Sequence, residues 1–156
     1  MRRPLAATAA PNGFLQNHMW GTIVDRSGVV CAVAFTGPER TNQWLGSRVI
    51  SAQKANTANL FSLPADSSGA FAQGLALSTA NLYTAVQPGG SLYGLQESNP
   101  VSTDVAYSGS PNNYGLRNDP MAGGRIGGIN VFGGGPPLYD SNRVLVGGIG
   151  VSGDTA

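Results

Sequence analysis

A few side chains in this sequence stand alone or nearly so, and their types could do chemistry. His18 is the only histidine, Cys31 the only cysteine and Lys54 the only lysine, while Glu97 is one of two glutamates. A neutral imidazole suits iron, so His18 is the candidate metal ligand, with Met19 and Met121 as softer donors. The plainer reading is a half-exposed histidine where a strand begins, with both methionines in the core. Lys54 lies in AQKANTAN among small residues, where its ammonium could reach a carboxylate or phosphate. A solvated, snorkelling lysine is the alternative. Glu97 and Asp25 are the acids considered for proton transfer, but nothing in the sequence brings them together.

Ser152 in GVSGD lacks the full G-x-S-x-G pattern of a nucleophile turn. One histidine and one cysteine cannot build a multi-residue Cys/His metal site, and they make a Ser–His triad improbable. Gly148 and Gly150, with Gly147, Ser152 and Gly153, could offer backbone N–H groups to an anion. The competing reading, and the favoured one, is that these glycines let a helix lie close on a strand. Cys31 sits in the apolar run GVVCAVAF and is expected to pack as a small hydrophobe.

The chain around these residues has 156 residues, which suggests one domain with a sizeable core. Only 11% of residues are charged and the net charge is +1. There is no basic stripe for neutralising phosphates, so nucleic-acid binding is not expected. A surface so poor in charge resists association weakly, which favours a homo-oligomer or a partner subunit. No run approaches the length needed for a membrane-spanning helix. The Asn/Ser/Gly-rich composition leans towards an exported protein.

Two hairpins frame the chain. HMWGTIVD and GVVCAVAFT are strands joined at Arg26-Ser27-Gly28, and GGINVFGGGPPLYD and RVLVGGIGVSG flank a turn at Asp140-Ser141-Asn142. The unbroken apolar character of the second strand implies cover on both faces. Gly133, Gly134 and Gly135 mark a bulge or a close backbone approach. Between the hairpins, residues 44–62 fit a helix capped by Thr41 or Asn42, with Trp44, Val49, Ala52, Ala55, Ala58, Leu60 and Phe61 near one face. A second helix is expected over 70–86, capped by Asp66 or Ser67 and stopped by Pro88-Gly89-Gly90. In QPGGSLYGLQESNP the side chains Leu92, Tyr93 and Leu95 should bury, with Glu97 and Asn99 pointing into a crevice or a subunit contact. Residues 98–128 form a long aperiodic insert, of the kind usually functional or an interface arm. Residues 1–17 are an arm, and 18–156 are the domain. The order of elements argues α+β, a central antiparallel sheet flanked by helices.

IVDRSGVVCAVAFTG, AQKANTANLFS, QPGGSLYGLQESNP and GGGPPLYDSNRVLVGGIGVSGD occur in this order. From about residue 20 to 154 the chain resembles the GlcG/HbpS-like family of haem-binding or haem-degrading proteins, related to the PduO C-terminal domain. The closing GGIGVSGD is the most specific piece and PGGSLYGL the next. The resemblance implies a profilin- or PAS-like layered fold, common homo-oligomerisation and haem as the cofactor. With haem as the ligand, His18 is the candidate axial ligand and Lys54 could reach a propionate. Tyr93, Glu97, Gly148, Gly150 and Ser152 complete the candidate cofactor-binding set. The family usually has a helix before the first strand and another after GVSGD; neither is expected within this sequence, which implies either a clipped chain or a partner covering the exposed sheet face.

The expected function is a non-enzymatic binding domain for haem or a similar flat tetrapyrrole. The alternatives are an accessory subunit of a larger assembly and a weak haem-degrading activity.

Overall fold

The computed structural model describes residues 17–65 and 69–154. The expected N-terminal arm and the Asp66 or Ser67 cap lie outside the described residues, except for Asn17. The two hairpins join into one four-stranded sheet of order β2-β1-β4-β3, antiparallel throughout: β1(Met19–Asp25), β2(Val30–Phe35), β3(Pro137–Tyr139) and β4(Leu145–Gly153). The α+β architecture is the expected one. The first and last ribbons of the chain meet along β1 and β4, with Trp20 opposite Ser152 and Thr22 opposite Gly150.

Both hairpin turns use the same device. Asp25 Oδ1 accepts the N–H groups of Ser27 and Val29, and Asp140 Oδ1 accepts those of Asn142 and Val144. Each turn needs a left-handed residue just before its second strand. Gly28 fills that place in the first turn (φ 76°), and Arg143 fills it in the second (φ 61°).

One long helix, α1(Ser47–Phe61), crosses the sheet face that carries Trp20, Thr22 and Val24. Thr22 donates to Ser51 Oγ at 2.7 Å, and Ser51 in turn donates to the Arg48 carbonyl. The helix is shorter than expected. Gly46 is its N-cap residue, whereas Thr41 and Asn42 belong to a separate 3-10 turn, Arg40–Asn42. Trp44 therefore precedes the helix and is 62% exposed, and Leu60 also points outward. The periodic face of small residues, Ala52, Ala55 and Ala58, is fully buried as expected.

Gly148 and Gly150 explain how closely α1 approaches. A methyl group at Gly148 would overlap the Ala55 carbonyl, and one at Gly150 would overlap the Ser51 carbonyl. These glycines are the contact surface between helix and sheet, which is the favoured structural reading of the motif.

The expected helix over 70–86 does not form. Three 3-10 turns stand there instead: Gly69–Phe71, Thr79–Leu82 and Thr84–Val86. Leu75 pairs with Leu63 as an isolated bridge, and Leu77 N–H donates to Ser62 Oγ, so the chain between the turns is held extended. Gly74 packs against the 63–65 backbone with a positive φ, which ends any helical run there. In the 87–100 connection, Leu92 and Leu95 pack on Leu82, Val86, Ile129 and Val131. Tyr93 does not bury with them and is 69% exposed.

The 98–128 insert supplies core rather than an arm. Ala106, Met121 and Ile126 join Trp20, Phe35 and Val49 in the main cluster. Its anchor is an ion pair between Arg48 and Asp119, both buried. Arg48 Nη1 also donates to the Ala106 carbonyl at 2.6 Å, and its guanidinium lies 3.6 Å from the Tyr114 ring centroid. Asp119 accepts the N–H groups of Gly115 and Met121 as well. Each of the three guanidinium nitrogens and both carboxylate oxygens thus has a partner, as burial requires.

Cys31 corrects its expectation. It is exposed on β2, and Ala32 beside it is half-buried, so the second strand is not covered on both faces at this point. The register irregularity opposite Ile23 and Val24 falls at this residue and turns it outward.

Candidate functional site

A crevice of about 790 Å3 opens where the start of α1 meets the end of β4. That volume is in the range of small-molecule sites. Trp44, Ile50, Phe132 and Gly133 form its apolar walls; Ser47, Lys54, Ser152 and Asp154 provide the polar groups.

Each wall is held by the backbone around it. Trp44 N–H donates to Asp154 Oδ1 at 3.0 Å, and the indole lies back over Gly46, where the missing side chain makes room. Phe132 heads a glycine segment strung between two neighbours. Its carbonyl accepts from Thr79 Oγ1 and its N–H donates to Asn130 Oδ1, while Gly134 accepts from Val151 N–H. Gly134 and Gly135 leave no room for side chains against Val151 and Thr79, which is the close approach expected of the triplet. The backbone is pinned, and the 59%-exposed Phe132 ring is left facing solvent and the crevice.

Lys54 is 6% exposed. Its Nζ donates to the Val151 carbonyl at 3.1 Å and to Ser152 Oγ at 3.2 Å. Ser152 donates onward to Ser47 Oγ at 3.3 Å, and Ser47 to the Gly153 carbonyl at 3.4 Å. The chain runs one way, from amine to carbonyl. No carboxylate pairs with Lys54 among the described residues; the ion pair there is Arg48–Asp119. Removal from water lowers the Lys54 pKa from 10.5 to about 8. An ammonium has three N–H groups, and the two protein acceptors leave one for the crevice.

The structure therefore brings together two of the residues singled out in the sequence, Lys54 and Ser152. The others stand elsewhere. Gly148 and Gly150 lie beneath α1. Tyr93 and Glu97 are exposed on the 87–100 connection, and neither lines the crevice. Asn99 is also exposed and bonds locally, to the Leu95 carbonyl and Ser98 Oγ. Asp25 serves its turn. His18 is half-buried at the foot of β1, and its carbonyl accepts the Asp154 N–H, so it adjoins the crevice through the backbone. Among the described residues no group of three or more His, Cys, Asp and Glu could hold a metal ion, and no helix is long and apolar enough to cross a membrane. Trp44, Ser47, Ile50, Phe132 and Asp154 are site residues that sequence reasoning missed. Asp154 had a visible signal, as the last letter of GVSGD.

Sheet, helix and crevice together define a small α+β domain with a ligand-sized cleft at one end of its helix. The chain belongs to the HbpS-like family: the model of the family described as haem degrading protein HbpS-like matches residues 6–156. Among solved structures it is similar to the PduOC–haem complex, at 24% identity and a TM-score of 0.58, over 98% of this chain and 77% of that one. It is also similar to Klebsiella pneumoniae protein ORFY, at 24% identity and a TM-score of 0.54, over 99% of this chain and 77% of that one. At this identity the two structures establish the shared fold. No curated protein matches the chain.

Proposed function

We propose that this domain binds a flat, carboxylate-bearing tetrapyrrole of the haem type in the crevice between α1 and β4, and that it does so as a binding module rather than as a catalyst. The observation that carries this reading is Lys54, a buried cation with no carboxylate partner among the described residues, lining a crevice that two exposed aromatic rings also line. A buried charge is costly until something pairs with it, and a propionate entering the crevice supplies that pair. Trp44 and Phe132 offer faces on which a conjugated ring can stack. Membership of a family described as haem degrading, and likeness to the PduOC–haem complex, support the choice of ligand.

The residues present fit the edge and the plane of such a group. Lys54, Ser152 and Ser47 would take a propionate, and Trp44, Ile50 and Phe132 the macrocycle. His18 is the neighbouring imidazole. When bound, haem would supply a redox-active iron. The charge-poor surface supports self-association of the domain in the same reading.

The test is a haemin titration followed at the Soret band, run on the parent protein, Lys54→Met and Phe132→Ala. Saturable binding that weakens about tenfold or more in both variants is expected. No Soret change in the parent protein would overturn the proposal.

A further inference from the structure

The hydrogen bonding of Lys54 has a second chemical meaning. A neutral amine has two N–H groups and one lone pair. Lys54 Nζ has two acceptors beside it, the Val151 carbonyl and Ser152 Oγ. Ser152 spends its own proton on Ser47, and Ser47 spends its proton on Gly153, so both hydroxyls keep their acceptor side towards the amine end of the chain. With both N–H groups occupied, the lone pair is the valence left for the crevice, which Trp44 and Phe132 also line. A desolvated lysine in an apolar cleft is the arrangement that turns an amine into a nucleophile towards carbonyl carbon.

We infer that Lys54 captures flat aromatic or conjugated aldehydes as an imine in this crevice. The inference rests on the crevice being a ligand site, as proposed above, but not on its ligand being a tetrapyrrole. The amine lone pair forms a C–N bond to the aldehyde carbon, and the carbonyl π pair moves to oxygen. That oxygen takes a proton from the nitrogen, giving the carbinolamine. A second proton transfer from nitrogen to this oxygen releases water as the C=N bond forms. Amine and aldehyde give imine and water, with no change of oxidation state and no co-reactant. The low-lying pKa of the amine leaves a neutral fraction near pH 7.5 that an exposed lysine lacks.

Because Lys54 is the only lysine, the experiment is clean. The full chain is incubated at pH 7.5 with 2-naphthaldehyde and cyanoborohydride, and the adduct is located by intact mass and peptide mapping. Propanal in place of the naphthaldehyde, and Nα-acetyl-lysine in place of the protein, are the references. Expected is one naphthylmethyl group on Lys54, formed about tenfold or more faster than on Nα-acetyl-lysine, with a smaller advantage for propanal. Phe132→Ala should lose most of that advantage, and Lys54→Arg should leave only the α-amino terminus reactive. Labelling of Lys54 no faster than of Nα-acetyl-lysine, or labelling confined to the α-amino terminus, would overturn the inference. A porphyrin titration on the same preparation separates the two readings. Porphyrin binding with slow labelling removes the imine chemistry alone. Fast labelling that porphyrin does not slow supports the imine chemistry and removes the tetrapyrrole from this crevice.

Discussion

Lys54 Nζ lies 3.2 Å from Ser152 Oγ, bridging the middle of the helix and the last strand of the sheet across 98 residues of chain. The pairing sets an ammonium under α1 with no carboxylate against it among the described residues, and two measurable consequences of pH follow from the charge.

The first concerns binding. An anionic ligand prefers the protonated amine, so affinity for a metal-free dicarboxylate porphyrin should be flat below pH 8. Above about 8, where the free protein releases the Lys54 proton, affinity should fall by up to about tenfold per pH unit. Fluorescence titrations from pH 6.5 to 10 check this. The porphyrin dimethyl ester and the Lys54→Met protein should both show a flat profile.

The second concerns stability. The folded-state pKa of Lys54, about 8, is below its ordinary 10.5. Between these values the unfolded chain holds more protons than the folded one, so this residue's contribution to stability rises with pH. Its destabilising effect is fully present below about pH 8 and relieved towards 10.5. Cys31 and Tyr139, both pushed upward chiefly by burial, act in the opposite direction at high pH. The quantity to measure is therefore the urea-unfolding difference between the parent protein and Lys54→Met. That difference should shrink in favour of the parent as pH rises from 8 to 10.

Gly150 tests the seat of the helix. It has an ordinary backbone conformation, so an alanine there meets no φ penalty but overlaps the Ser51 carbonyl, the Ala55 nitrogen and Lys54 Cβ. Gly150→Ala should cost about 2 kcal/mol or more, because the obstacle is backbone and cannot rotate aside. Gly89→Ala is the comparison: that site is spatially open but has φ 84°, so its cost should be nearer 1 kcal/mol. Equal losses would contradict the close-approach account.

The Arg48–Asp119 pair should behave as a unit. Removing one partner, as in Asp119→Ala, leaves a buried guanidinium beside Tyr114 and should destabilise the fold by about 3–5 kcal/mol. The double change Arg48→Met with Asp119→Leu should recover a large part of that loss. Chemical denaturation of the parent protein and these two variants checks both expectations.

Much of this fold was legible because the two hairpins announce themselves locally. Asp25 and Asp140 close their turns with the same side-chain bonds, and β-branched runs flank them. Lys54 and Ser152 were legible as candidates through rarity and motif. Trp44 was read onto the helix face because its spacing fits a helical period, but the chain does not become helical until Ser47. The 70–86 segment has apolar residues at helical spacing, and the tertiary bridge from Leu75 to Leu63 overrides that local pattern. The role of the insert depends on Asp119 finding Arg48 across 71 positions, a contact that no window of sequence contains. Phe132 was read within the first arm of the closing hairpin, but β3 begins only at Pro137; its place follows from Thr79, Asn130 and Val151 holding the glycines behind it.

The most direct measurement is the acetylation rate of Lys54 with and without bound porphyrin. A single lysine makes the footprint unambiguous by peptide mapping. If the ligand occupies the crevice between Trp44 and Phe132, saturating porphyrin should slow acetylation of Lys54 by about tenfold or more. Porphyrin bound to saturation with the Lys54 rate unchanged would contradict the assignment.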